Sequence, residues 1–84
     1  MNHCLITFRS VTPAQRAEAL LRRSGISCDL HRTPRWMEEQ GCGYSLRLQL
    51  LDAQRAAHLL HSNQLPFRKI YLQKENGMAE EMLL

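Results

Sequence analysis

Between residues 44 and 50 the sequence alternates without a break. Tyr44, Leu46, Leu48 and Leu50 are apolar, and Ser45, Arg47 and Gln49 between them are polar. A period of two marks a strand with one buried face. In a chain of 84 residues only one small core can form. The rest of the sequence must therefore cover that one apolar face.

The neighbouring segments have the right periods to do so. His3–Arg9 alternates as well: Cys4, Ile6 and Phe8 share one face and His3, Thr7 and Arg9 the other. Leu5 is an apolar exception on the second face and points to a central or covered strand. Thr12-Pro13-Ala14-Gln15 reads as a helix start, with Thr12 as the cap and Gln15 completing a capping box. Ala14, Ala17, Leu20 and Leu21 follow the helical period to Gly25, a residue that accepts the positive φ of a helix stop. Ile26, Cys28 and Leu30 then alternate as a second strand. Asp52 caps a second helix with an apolar stripe of Ala53, Ala56, Ala57 and Leu60, ended by Asn63 and Pro66. Ile70 and Leu72 mark a last strand. The order is strand–helix–strand–strand–helix–strand. Right-handed crossovers close it into an α+β, ferredoxin-like βαββαβ sandwich: one four-stranded antiparallel sheet with two helices on one face. Residues 1–74 form a single domain, and 75–84 form an acidic, Met- and Leu-bearing tail without fixed structure.

All 11 Lys and Arg lie in residues 1–74, and three of the eight acids lie in the tail. The domain's positive field suits an anionic ligand or an acidic partner. The helix-free face carries Thr7, Arg9, Ser45, Arg47 and Gln49. With no aromatic on that face of those two strands it lacks a platform for base stacking, which argues against a nucleic-acid partner. No apolar run is long enough to span a membrane or to serve as a signal peptide. A cytoplasmic location follows as the expectation.

The three cysteines are Cys4, Cys28 and Cys42. An odd number, widely spaced and without CxxC, is not a disulfide framework, and it lacks the short spacing of a zinc site. No metal or cofactor is implied. Cys4 and Cys28 fall on the core face and read as packing residues. Cys42 differs because it lies in the turn Gln40-Gly41-Cys42-Gly43, inside the long connection between the second and third strands. In the expected topology that turn lies beside the start of the first helix, whose free amides stabilise a thiolate. Arg9, Arg32 and Arg35 add positive charge. Gly41 and Gly43 leave room for an approaching group, and their amides suit an anion nest. The bland reading is a tight turn around a small buried cysteine. His31, at the end of the second strand, is a candidate base or ligand, or else a surface residue. Trp36 is a candidate lid.

Taken together, Leu5-Ile6-Thr7-Phe8 with Ser10, the helix Ala17–Leu21, Gly25-Ile26, Thr33-Pro34-Arg35 and Cys42-Gly43 before an alternating strand resemble the selenium/sulfur carrier protein-like family. The resemblance covers residues 3–73. Where members commonly carry small hydroxyl residues before the cysteine, this chain has Glu38-Glu39-Gln40-Gly41. The resemblance implies that Cys42 is the carrier thiol, with Gly43 and the Pro34-Arg35 segment around it. It also implies a donor such as a cysteine desulfurase and an acceptor protein, so a carrier more than a catalyst with turnover. The alternative is a small regulatory or protein-binding module without covalent chemistry, homodimeric through Leu5 and Leu51.

Overall fold

The computed structural model describes residues 2–33, 43–75 and 79–82. Strands β1 (His3–Phe8), β2 (Cys28–Arg32), β3 (Tyr44–Gln49), β4 (Ile70–Gln73) and β5 (Ala79–Met82) form one sheet in the order β2-β3-β1-β4-β5. Every neighbouring pair is antiparallel. Helices α1 (Val11–Arg23) and α2 (Ala53–Ser62) follow β1 and β3. The first four strands and the two helices make the expected ferredoxin-like sandwich.

The alternation in the sequence is the alternation of the faces. Cys4, Ile6 and Phe8 pair with Leu48, Leu46 and Tyr44, and Cys28 and Leu30 lie across from Leu48 and Leu46. These side chains meet Ala14, Ala17 and Leu21 of α1 and Ala53, Ala56, Ala57 and Leu60 of α2 in one apolar cluster. Each buried Leu or Ile there contributes about 1.5–3 kcal/mol. The alanine stripes let both helices lie close to the sheet. Leu5, on the other face, is also buried. β1 is the middle strand of five, so the apolar exception marks a covered position. Leu5 is therefore not available for contact with a second copy. Leu51 is 81% exposed, but it sits in a 3-10 turn, Leu50–Asp52, that ends β3 one residue early.

Two boundaries differ from the sequence reading. α1 starts at Val11 with Ser10 as its N-cap. Thr12 is thus inside the first turn and no capping box forms. Pro13 takes the third position of that turn, where its missing N–H still costs nothing. In addition, residues 79–82, within the segment expected to lack fixed structure, form β5 and extend the sheet to five strands. No apolar period announces this strand. Met82 lies opposite Ile70 and packs on the core, and its two acids meet lysines: Lys74 reaches Glu80, and Lys69 lies 3.6 Å from Glu81.

Both helices end in the same way. In α1, the Gly25 N–H donates to the Arg22 carbonyl (3.1 Å) and the Ile26 N–H to the Leu21 carbonyl (2.9 Å). In α2, Gln64 N–H to His61 (3.1 Å) and Leu65 N–H to Leu60 (2.9 Å) repeat this pattern. Each is a Schellman motif with its turning residue at positive φ, +84° at Gly25 and +56° at Gln64. These motifs fix where the chain turns back toward β2 and β4.

Candidate functional site

The sheet has two ends of different chemistry. At one end β1, β2 and α2 begin and α1 finishes. Cys4 and Cys28 lie there. Cys4 is fully buried between Leu48 and Leu72 on the neighbouring strands, and burial pushes its thiol up to about 12. Burial also raises the Cys28 thiol, against a smaller opposing effect of Arg22. The Cys28 thiol faces the Glu18 carbonyl at 4.0 Å, and Arg22 Nη2 donates to the Cys28 carbonyl at 2.8 Å. Both cysteines are free, and both are protonated packing residues at neutral pH. An open cavity of 660 Å³ at this end is lined by His3, Arg22, Ile26, Asp29 and Arg47 among others. Its cations are already engaged: Arg22 lies 3.4 Å from Glu18 and 3.9 Å from Asp29, and Arg47 lies 3.4 Å from His3 Nδ1.

At the other end β1 and β2 finish, β3 and β4 begin, and α1 starts. The candidate residues Arg35, Gly41 and Cys42 lie outside the described residues, as do Trp36, Glu38 and Glu39. Gly43 is described, and it is buried. Its carbonyl accepts the Thr33 N–H at 3.1 Å. This bond extends the β2–β3 ladder by one pair, so residues 33 and 43 sit side by side where the connection carrying Cys42 departs. Across the sheet, Tyr44 lies opposite Phe8 on one side and Arg32 on the other. The Arg32 guanidinium lies 6.0 Å from the centre of the Tyr44 ring, within cation–π range.

Only Arg9 and Ser10 separate β1 from α1, so the N-terminus of α1 opens at this same end. Its first turn holds no acid, and Ser10 makes no side-chain cap. The amides of Val11 and Thr12 thus keep their positive field.

The helix-free face at this end holds a row of hydroxyls. The sequence places Thr7 and Ser45 on that face but not their burial. Thr7 is closed by two bonds: Oγ1 donates to the Lys69 carbonyl (3.2 Å) and accepts the Lys69 N–H (3.0 Å). Ser45 lies between Thr7 and His31 in the register. Ser45 and Thr33 are buried, at 1% and 7% exposure, and their hydroxyls find no hydrogen-bond partner among the described residues. The signal in the sequence is two hydroxyl residues placed at either side of the Cys42 connection. His31 is exposed. Among the described residues no three His, Cys, Asp or Glu side chains gather as a metal site, and no helix is long and apolar enough to cross a membrane.

Residues 3–72 match the model of the family described as Putative Se/S carrier protein-like. The chain belongs to this family. No curated protein and no solved structure matches it. The matched span runs from the start of β1 into β4, so it contains all three cysteines and stops short of β5.

Proposed function

We propose that the chain is a relay protein that carries sulfane sulfur, or selenium, on Cys42. The observation that supports this most is the burial of the other two thiols. Cys4 and Cys28 are part of the hydrophobic core, and a thiol held protonated there neither attacks nor is attacked. Within the matched family span, Cys42 is the cysteine left for carrier chemistry. Its neighbour Gly43 lies at the sheet end where α1 presents uncapped amides and Arg9 and Arg32 bring charge. In this reading Gly41, having no side chain, leaves an incoming group room, and Arg35 is the charge that holds the product anion.

The transfer is a thiol–disulfide type of exchange. The Cys42 thiolate attacks the terminal sulfur of a donor persulfide. The bond from Cys42 to that sulfur forms as the donor's S–S bond breaks, and the electron pair leaves on the donor thiolate. The proton of the terminal sulfur stays with it or is lost to water, and no net oxidation occurs. The acceptor's thiolate repeats the step on the Cys42 persulfide. A cysteine desulfurase is a donor of the right class. Such exchange needs an accessible thiol and a docking face, which a domain of this size offers, and free thiols suit a reducing cytoplasm.

Incubating the chain with a cysteine desulfurase and cysteine, followed by peptide mass spectrometry, tests the reading. The expected result is a gain of one sulfur atom on the peptide with Cys42, lost in Cys42→Ser and kept in Cys4→Ala. An unloaded chain beside a loaded control carrier, or a sulfur that survives Cys42→Ser, would overturn it.

A further inference from the structure

The helix layer is basic on its outside. α1 and α2 carry Arg16, Arg22, Arg23 and Arg55 against one acid, Glu18. Two of these arginines are used within the fold. Arg22 is held by Glu18 and Asp29, and Arg55 donates to the Ser24 carbonyl at the end of α1. Arg16 and Arg23 are exposed and form no ion pair among the described residues. They are seven residues apart on one helix, about 10 Å along its axis. Between them runs a groove of 410 Å³, lined also by Ala19 and Leu20 of α1 and by Asn63 and Leu65 past the end of α2. Leu20 and Leu65 are half-buried and packed on the core, so the floor is apolar and rigid while both ends are cationic.

We propose that this α1–α2 groove docks an acidic, Leu- or Met-bearing segment of the sulfur-donor protein. The inference rests on the carrier reading and names the face its partner uses. The spacing defines the segment. In a helical segment, carboxylates seven residues apart share one face about 10 Å from each other, with an apolar side chain three or four residues along between them to meet Leu20 and Leu65. Nucleic acid fits less well, because the groove has an aliphatic floor and no aromatic for a base to stack on. The position also suits transfer. Arg16 is five residues, about 7.5 Å, from the start of α1, so a partner seated there extends over the sheet end to which Gly43 belongs.

The test compares two sulfur sources for the full chain. A cysteine desulfurase with cysteine must dock, whereas inorganic polysulfide need not. Reversing both charges in the double variant Arg16→Glu/Arg23→Glu should raise the desulfurase KM for the chain about tenfold. It should leave kcat and polysulfide loading unchanged, and Arg16→Lys/Arg23→Lys should stay close to wild type. An unchanged KM in the Glu variant would overturn the inference alone. So would a loss equal for both sources, or single-stranded RNA displacing the desulfurase through the same two arginines. Failure of Cys42 to load from either source in the wild type would remove the carrier reading, and the docking inference with it.

Discussion

The two ends of the sheet are built from the same strands and helices and do opposite things to a cysteine. At the end with Cys4 and Cys28, the helices and sheet close over the thiols, Arg22 and Arg47 beside them are engaged, and burial holds the sulfur protonated. At the end where Gly43 and Thr33 pair, α1 starts without a side-chain cap and two buried hydroxyls have no described partner. The α2 terminus there turns at a non-glycine residue. The closed end buries its thiols, and the open end keeps two unpartnered hydroxyls among the described residues and a non-glycine residue at positive φ. Such features gather where a protein binds or reacts.

The largest expected effect breaks the comparison at the closed end. The Cys4 thiol is raised from 9.0 to about 12 in the folded chain. A raised thiol contributes its stability in full below the unfolded value and loses it as pH climbs toward the folded one. Unfolding free energy should therefore fall between pH 9 and 12 by about 4 kcal/mol, three units at 1.36 each. Cys4→Ala should be less stable at neutral pH but flatter across that range, as read by urea titration at each pH.

A smaller effect, about 1–2 kcal/mol, separates satisfied from unsatisfied hydroxyls. Thr7→Val removes a hydroxyl that makes two hydrogen bonds to the Lys69 backbone, and it should destabilise by that amount. Ser45→Ala removes a hydroxyl that bonds to no described residue and should be neutral or stabilising. Equal losses in chemical denaturation would mean that Ser45 Oγ is satisfied as fully as Thr7.

The smallest effect, about 1 kcal/mol, compares the helix stops. Gly25→Ala forces a side chain into positive φ and should cost roughly that much, since a Cβ there meets nothing within 4 Å. Gln64→Gly should return a similar gain at the open end. Thermal midpoints of the two variants should move in opposite directions.

Where the chain obeys a simple period, the sequence carries the structure. The alternation of Tyr44–Gln49, the apolar exception at Leu5 and the stop at Gly25 each map onto an observed position. The reading failed where structure depends on partners far along the chain. β5 is a short edge strand held by Met82 on the core and by acids meeting Lys69 and Lys74, so it has no period of its own. The Schellman turn at Gln64 carries no glycine to signal it. The α1 start shifts because Ser10 lies where β1 delivers the chain, two residues ahead of the capping box that Thr12 and Gln15 spell out. Of the candidate site, the sequence names Cys42 from its flanking glycines and locates both core thiols by parity. The burial of Thr33 and Ser45 follows from sheet neighbours and is not written in any local pattern.

The most direct measurement is the rate at which each cysteine is alkylated in the folded chain, resolved by peptide mass spectrometry under a limiting reagent. The account predicts that Cys42 is modified first, at least about a hundredfold faster than Cys4 or Cys28, because the thiolate is the reacting form. A Cys42 modified no faster than the two core cysteines would contradict it.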